Sequence, residues 1–166
     1  MTRRARPAYT HRAYLGLGSN IYPEQNLPLA LVILSQRVQI ISVSHVWETQ
    51  PVGSVGANFL NAVTLITTQL PAQLLKNVVL RPIESRLGRK RTFNKNAPRQ
   101  IDLDILIYDE RVVDSKIWTR AFLAVPLAEL VPSLPHPDTH EELQEISTRL
   151  AEQTIILPRP DIILVK

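Results

Sequence analysis

Hydrophobic positions repeat with two different spacings in the first half of the chain. A spacing of two, rich in Val, Ile and other strand formers, predicts strands over Ala13–Asn20, Val38–Trp47 and Phe59–Thr67. The apolar stretch Leu27–Leu34 predicts a helix. Pro71 opens a second helix at the position where its missing N–H does no harm.

The second half of the chain is more interrupted. Pro82 falls inside the second helix, where its ring costs about 3 kcal/mol, so we expect a kink or break there. The remaining patterns predict an aspartate-bearing strand ending at Tyr108, a short strand around Val112–Ile117, one or two helical turns at Pro126–Leu130, a polar helix over Glu141–Glu152 and a broken strand over Ile155–Val165.

The order of these elements is β, α, β, β, α, β, with antiparallel neighbours. This order predicts an α+β fold, namely a ferredoxin-like open antiparallel sheet backed by helices. Gly16-x-Gly18 lacks the third glycine and the following acidic residue of a dinucleotide fingerprint, so we interpret it as a turn at a strand end. Neither a Walker-type phosphate loop nor a kinase glycine loop occurs in the sequence.

Composition narrows the class of protein. With 166 residues, 45% hydrophobic and 20% charged, we expect a basic flexible tail over residues 1–12 and a single domain over residues 13–166. The absence of cysteine and of a secretory apolar stretch predicts a cytoplasmic protein, and we expect a monomer without a membrane partner. A net charge of +4 suits either nucleic acid or a substrate with several phosphates.

The most informative segment places two carboxylates in an apolar strand. Because side chains alternate along a strand, Asp102 and Asp104 share one face, while Ile101, Leu103 and Ile105 share the other. Paired like charges call for a cation, and Mg²⁺ prefers oxygen ligands together with phosphate oxygens and water. The alternative interpretation, of equal weight for this motif alone, is an edge strand with a solvated acidic face.

A basic loop precedes the two aspartates and ends at Arg99. Arginine can grip phosphate oxygens with two hydrogen bonds and lysine acts as a mobile charge, so the mixture favours a polyphosphate. A solvated flank or an RNA-binding patch would explain the loop alone equally well. The cations are Arg89, Lys90, Arg91, Lys95 and Arg99.

Four segments in order resemble the 6-hydroxymethyl-7,8-dihydropterin pyrophosphokinase family of folate biosynthesis. They are Tyr14–Asn20, Trp47–Gly53, Phe59–Val63, and a last segment that runs from Ile83-Glu84 through Gly88-Arg89 to Pro98–Asp104. The resemblance extends over about Ala13–Pro132. It implies a ferredoxin-like enzyme that moves the pyrophosphoryl group of ATP to the hydroxymethyl oxygen of the pterin and releases AMP.

The resemblance also implies roles for individual residues. Asp102 and Asp104 would hold two Mg²⁺ ions, and Arg89 and Arg99 would act as catalytic phosphate-binding residues. The nucleotide side would consist of Glu84, Arg91, Lys95 and Ile105, and the pterin side of Thr49, Pro51, Val52, Phe59, Asn61 and Phe122. Taken without the resemblance, the two Phe are more simply core residues, and Thr49 and Asn61 turn or cap residues.

The chain departs from the family pattern between Asp114 and Phe122. A Pro-His-Pro segment usual in the family is missing there, which puts ATP binding in question, and Asn96 stands where an aromatic residue is common. Leu134-Pro135-His136-Pro137 comes later, and we interpret His136 as a turn residue.

These observations leave three functions to compare. The first is an active pyrophosphokinase acting on ATP and the pterin, without a nucleic-acid partner. The second is a degenerate relative with weak or no turnover. The third, an RNA-binding module on a ferredoxin-like scaffold, is least favoured, because no strand carries the basic and aromatic motif of such modules.

Overall fold

The computed structural model describes residues 10–94 and 96–165. Residues 1–9 of the predicted tail over residues 1–12 lie outside them, whereas His11 and Arg12 belong to the first strand. Within the described residues seven strands form one antiparallel sheet in the order β6-β5-β1-β4-β3-β7, with β2 on the same edge of β4 as β3. The strands are β1 (His11–Ser19), β2 (Gln39–Val43), β3 (Trp47–Thr49), β4 (Phe59–Thr68), β5 (Asp102–Tyr108), β6 (Arg111–Val112) and β7 (Ile156–Pro158).

Helices cover both faces of this sheet, which confirms the predicted α+β fold. One face carries α1 (Pro23–Ser35) and a continuous helix made of α2 (Ala72–Leu75), a π-helical turn (Lys76–Leu80) and α3 (Arg81–Arg86). The other face carries a 3₁₀ helix (Ser115–Trp118), α4 (Ala121–Ala128) and α5 (Leu143–Glu152). Among the described residues, no helix is long and apolar enough to cross a bilayer.

The predicted irregularity at Pro82 takes the form of the π-helical turn directly before it. Pro82 has no N–H to donate to the preceding turn, and its ring crowds the carbonyl four residues earlier. A wider turn absorbs this conflict without breaking the helix. Leu75, Leu80 and Ile83 consequently stay on one buried face across the irregularity.

The structure corrects the expectations for the segments between the long strands. The predicted strand over Val38–Trp47 is two strands, because the chain breaks at Ser44, whose hydroxyl instead accepts the N–H of Val63 at 2.9 Å. The predicted strand around Val112–Ile117 is wrong beyond Val112, because the Asp114 side chain caps the 3₁₀ helix by accepting the Lys116 N–H at 3.0 Å.

Two expectations near the C-terminus also change. The helix predicted at Pro126–Leu130 begins five residues earlier, at Ala121, since Pro126 is accommodated within α4. Of the predicted strand Ile155–Val165, the structure forms β7 over Ile156–Pro158 alone, and β7 pairs with β3. The helix predicted over Glu141–Glu152 is confirmed, with a capping box between Glu142 and Glu145.

Candidate active site

A cavity of about 360 Å³ lies on the α4 face of the sheet, across the middle strands. Its walls come from β1, β4, β5, the loops before β4 and β5, and the segment that leads into α4. The lining residues are Gly16, Leu17, Gly18, Thr49, Gln50, Pro51, Val52, Ser54, Phe59, Asn61, Asn96, Arg99, Asp102, Asp104, Leu106, Asp114, Lys116, Arg120, Phe122 and Leu123. Most of the residues predicted for the site are therefore brought together.

Gly16 and Gly18 form the floor of the cavity and lie inside β1, so our interpretation of them as a turn is wrong. Each glycine sits between two neighbouring strands, opposite Asp104 and Asp102 respectively in β5. A Cβ at Gly18 would lie 3.3 Å from Oδ1 of Asn61, and a Cβ at Gly16 would lie 3.4 Å from Leu106. The missing side chains thus leave room for Asn61 and Leu106 to lie close above the sheet.

The two aspartates face the cavity, and the intervening Leu103 lies in the opposite core, as the alternation predicted. Burial tends to raise the pKa of Asp102, but the charges of Arg89 and Arg99 prevail and hold it below its ordinary value. Burial and the neighbouring Asp102 charge raise the pKa of Asp104. The Asp104 side chain keeps 47% of its surface exposed, so its oxygens remain available to a ligand.

A buried carboxylate, Glu84, organises the arginines behind Asp102. Glu84 accepts the Leu103 N–H at 2.9 Å and a hydrogen bond from Nη2 of Arg91 at 2.9 Å. Nη1 of Arg89 bridges Glu84 and Asp102. Burial is the main reason that the pKa of Glu84 is raised. Glu84 therefore connects α3 to the basic loop and to the start of β5.

Arg99 lies between Asp102 and Phe59 in the wall of the cavity. Its Nη1 donates to Oδ2 of Asp102 at 2.7 Å, and its guanidinium lies 5.9 Å from the centre of the Phe59 ring. Asn20, buried at the end of β1, accepts the Arg99 N–H at 2.8 Å and donates to the Ala57 carbonyl at 3.3 Å. Asn20 thus ties the basic loop to the loop before β4, a role that our sequence reasoning missed.

The residues predicted for the pterin side lie together at the opposite end of the cavity. Nδ2 of Asn61 donates to Oγ1 of Thr49 at 2.9 Å, and both side chains are buried. This hydrogen bond fixes the amide so that its oxygen lies over Gly18. Pro51 and Val52 come from the neighbouring loop, and Phe59 and Phe122 come from β4 and α4.

Several predicted residues do not line the cavity. Arg89, Glu84 and Arg91 lie behind Asp102, as described above, and the side chain of Ile105 is buried in the opposite core. Lys95 lies outside the described residues. Their predicted roles remain predictions, and a ligand could reach Ile105 only through its backbone.

The segment between Asp114 and Phe122 contributes two cations that we missed, Lys116 and Arg120, both in the cavity wall. Lys116 fell within the predicted strand around Val112–Ile117, and Arg120 lies beyond that strand, directly before α4. His136 is a turn residue, as predicted: its Nδ1 accepts the N–H groups of Asp138 and Thr139 at 3.2 and 3.3 Å. Its ring packs edge-on against Trp118, 5.0 Å between centroids, and so supports this wall.

The two aspartates fit a divalent cation by the chemistry of their environment. Within residues 10–94 and 96–165, no group of three or more His, Cys, Asp or Glu side chains could hold a metal ion. Burial and the neighbouring Asp102 charge raise the pKa of Asp104, so these two carboxylates suit a cation that arrives with phosphate oxygens. Lys76 of the π-helical turn, 3.8 Å from Oδ1 of Asp104, partly offsets that repulsion and was also missed.

Sequence comparison finds one family and several named relatives. A model of 7,8-dihydro-6-hydroxymethylpterin-pyrophosphokinase (HPPK) matches residues 14–132. The 2-amino-4-hydroxy-6-hydroxymethyldihydropteridine pyrophosphokinase of Aquifex aeolicus is 36% identical over 80% of this chain and 88% of its own length. The enzyme of the same name from Bacillus subtilis is 34% identical over 85% of this chain and 90% of its own length. The folic acid synthesis protein fol1 of Schizosaccharomyces pombe is 36% identical over 87% of this chain, which spans only 21% of that relative.

Comparison with solved structures supports the fold alone. Plasmodium falciparum HPPK-DHPS, determined with SDX-DHP, superposes with a TM-score of 0.68 at 14% identity. The superposition covers 87% of this chain and 46% of that one. The architecture is therefore shared at a level of identity where sequence alone would say little.

Proposed function

The chain belongs to the 7,8-dihydro-6-hydroxymethylpterin-pyrophosphokinase family, and from this premise we propose that it transfers the pyrophosphoryl group of ATP to 6-hydroxymethyl-7,8-dihydropterin. The products are AMP and the pterin pyrophosphate of folate biosynthesis. The observation that carries the proposal is the cavity itself, because Asp102, Asp104 and Arg99 lie in one wall while Thr49 and Asn61 lie at its other end.

In this reaction the hydroxymethyl oxygen forms a bond to the β-phosphorus of ATP and releases its proton to solvent. The bond from that phosphorus to the oxygen shared with the α-phosphate breaks, and AMP leaves with the bonding electrons. The chain has to orient two substrates and stabilise charge on the phosphates. Asn61, held by Thr49, reads the polar edge of the pterin, and Phe59 and Phe122 pack against its faces. Arg99 lies between the two substrates, where it can contact the phosphates.

Two Mg²⁺ ions would be held by Asp102 and Asp104, and when bound they would neutralise the phosphate oxygens and orient the chain of phosphates. Glu84 and Arg89 lie outside the cavity and hold the Asp102 carboxylate in position, because Arg89 bridges Glu84 and Asp102 and Glu84 accepts the Leu103 N–H. Arg91, Lys95 and the backbone of Ile105 complete the nucleotide side.

The remaining parts of the proposal concern the whole molecule. Residues 13–166 act as one catalytic domain, as a monomer in the cytoplasm, and the partners are ATP and the pterin rather than nucleic acid or a membrane. The net charge of +4 and the cations of the cavity wall agree with polyphosphate as the anionic ligand.

The test is to mix the protein with ATP, Mg²⁺ and 6-hydroxymethyl-7,8-dihydropterin and to follow the nucleotides. AMP formed in proportion to consumed pterin supports the proposal, whereas ADP would point to ordinary phosphoryl transfer. Measurable pterin binding without any product would favour the degenerate relative, because the short wall between Asp114 and Phe122 would then be insufficient for turnover.

A further inference from the structure

The chain beyond the family-matched residues 14–132 adds a strand to the pterin end of the sheet. In β7, Ile156, Leu157 and Pro158 pair with Thr49, Glu48 and Trp47 respectively. The next residue, Arg159, continues the pairing, since its N–H donates to the Val46 carbonyl at 2.9 Å. The C-terminal segment is thus in register with the strand that carries Thr49.

Arg159 binds three carboxylates from separate parts of the chain. Its Nη1 donates to Oε2 of Glu48 at 2.8 Å, and its Nε and Nη2 donate to the Asp161 carboxylate at 2.9 and 2.8 Å. Nη2 also lies 3.6 Å from Oε1 of Glu24 at the start of α1. Only 24% of the Arg159 side chain and 25% of the Glu48 side chain are exposed, so this pair is partly shielded from water, whereas Glu24 and Asp161 are more than half exposed.

Glu48 connects Arg159 to the loop over residues 50–58. Its second oxygen, Oε1, accepts a hydrogen bond from Nδ2 of Asn58 at 2.8 Å. Glu48 precedes the loop and Asn58 ends it, so this contact closes the loop at its base. The hydrogen bonds from Asn58 and from Arg159 lower the pKa of Glu48, as expected of a carboxylate held in its charged form.

The loop closed in this way supplies Gln50, Pro51, Val52 and Ser54 to the cavity, and Phe59 follows it directly. Gly53 within it adopts a positive φ of 71°, and the Val55 side chain is fully exposed. A loop with few buried side chains takes its conformation from the fixing of its ends. Its base is therefore the point from which these cavity residues are aligned.

We propose that Arg159 is a positioning residue for the pterin site, acting through Glu48 and Asn58 to hold the loop over residues 50–58 in its binding conformation. This inference rests on the proposed function. It assigns a role in substrate binding to the C-terminal segment, which lies outside the part of the chain that defines the family.

The principal variant is Arg159→Gln, which keeps a long polar side chain but removes the charge and the forked geometry. We expect the KM for the pterin to rise about tenfold, the scale of losing a charge-assisted hydrogen bond. The kcat and the KM for ATP should stay within about twofold, because the nucleotide side is unchanged. Glu48→Gln should reproduce this result, and the double variant should not add to it.

The matched control is Arg149→Gln. Arg149 also forms a forked pair, with Glu141, but on the surface of α5 away from the cavity. It should leave both KM values unchanged. Arg159→Lys should restore part of the pterin affinity, because a single contact to Glu48 can be kept, which a general loss of stability would not predict.

Two outcomes would overturn the inference. One is a pterin KM for Arg159→Gln equal to that of Arg149→Gln, and the other is a parallel loss of kcat and of both affinities. If Arg159→Gln does not fold, Asn58→Ala cuts only the last link and should raise the pterin KM by itself.

Direct titration of pterin into protein saturated with a non-hydrolysable ATP analogue separates this inference from the proposed function. Weaker pterin binding in Arg159→Gln supports the positioning role even if the wild type releases no AMP. Equal binding in the two proteins refutes that role even if the wild type is an active pyrophosphokinase.

Discussion

At the scale of single residues, the two aspartates of β5 differ in what the protein does to their charge. Asp102 is paired with Arg89 and Arg99, so its lowered pKa reflects a carboxylate that stabilises the fold. Asp104 has Lys76 at 3.8 Å, and its raised pKa reflects a charge that the fold disfavours. Neutralising Asp104, rather than Asp102, should therefore relieve the repulsion between the two carboxylates.

Asp104→Asn is therefore expected to affect activity and stability in opposite directions. Turnover should fall by about a hundredfold or more, because a charge that orients the phosphates is lost. The free energy of unfolding should stay equal or rise by about 0.5 kcal/mol, since the site is half exposed. AMP release and urea unfolding measure the two effects. Asp138→Asn, on an exposed loop, is the control, and full activity of Asp104→Asn would refute the metal assignment.

Glu84 is the charged residue of the site whose loss should cost most in stability, because its side chain is buried. Glu84→Ala would leave the Leu103 N–H without its acceptor, remove the buried partner of Arg91, and remove one of the two carboxylates that Arg89 bridges. We expect the free energy of unfolding to fall by about 3 kcal/mol. Glu84→Gln retains an acceptor for Leu103 and should lose less than half of that amount. Equal losses in the two variants, measured by urea unfolding, would contradict this account.

At the scale of elements, the sequence predicts those parts of the site that follow from local periodicity. Period two alone puts Asp102 and Asp104 on the cavity face, and Pro82 alone marks the irregular turn in the helix. Lys76 could not be found in this way. It reaches Asp104 because β6 pairs only with the end of β5, at Ile107 and Tyr108, which leaves the edge beside Asp104 uncovered.

Other parts of the site depend on contacts between distant segments. Gly16 and Gly18 look like a turn motif until β4 and β5 are placed on either side of them. Lys116 and Arg120 enter the cavity wall because the segment after β6 coils into a 3₁₀ helix rather than a strand. Arg159 lies 111 positions from Glu48, a distance that no local pattern bridges.

The pairing of α4 with α5 gives a prediction at this scale. Leu143 in α5 is fully buried in the cluster that contains Ala124 and Leu127 of α4. Leu143→Ala should lower the free energy of unfolding by about 3 kcal/mol, because it opens a cavity beneath the helix that carries Phe122. Leu29→Ala in α1, where 47% of the side chain is exposed, should cost less than about 1 kcal/mol. Similar midpoints of urea unfolding for the two variants would contradict this packing.

At the scale of the whole molecule, the sheet separates the main apolar core on one face from the candidate active site on the other. The face against α1 and the 72–86 helix is a continuous apolar core, whereas the other face is shared between a smaller core and the cavity. Arg159 connects the helical layer to the edge of the sheet, because its partner Glu24 belongs to α1 and its partner Glu48 belongs to β3. Charge therefore contributes to global stability at that edge, and this contribution must depend on pH.

The sign of the dependence follows from the lowered pKa values of Glu48 and Asp161. A carboxylate whose pKa is lower in the folded state stabilises the fold above its ordinary pKa, and this stabilisation is lost as the pH falls through the lowered value. At about pH 7, wild type should exceed Glu48→Gln by about 1 kcal/mol in the free energy of unfolding. The difference should shrink once the pH falls below the ordinary Glu value of 4.5, and it should be lost as the pH falls through the lowered pKa of Glu48. Urea unfolding followed by circular dichroism at several pH values measures it, and a difference that stays constant with pH would mean that Glu48 acts through packing rather than charge.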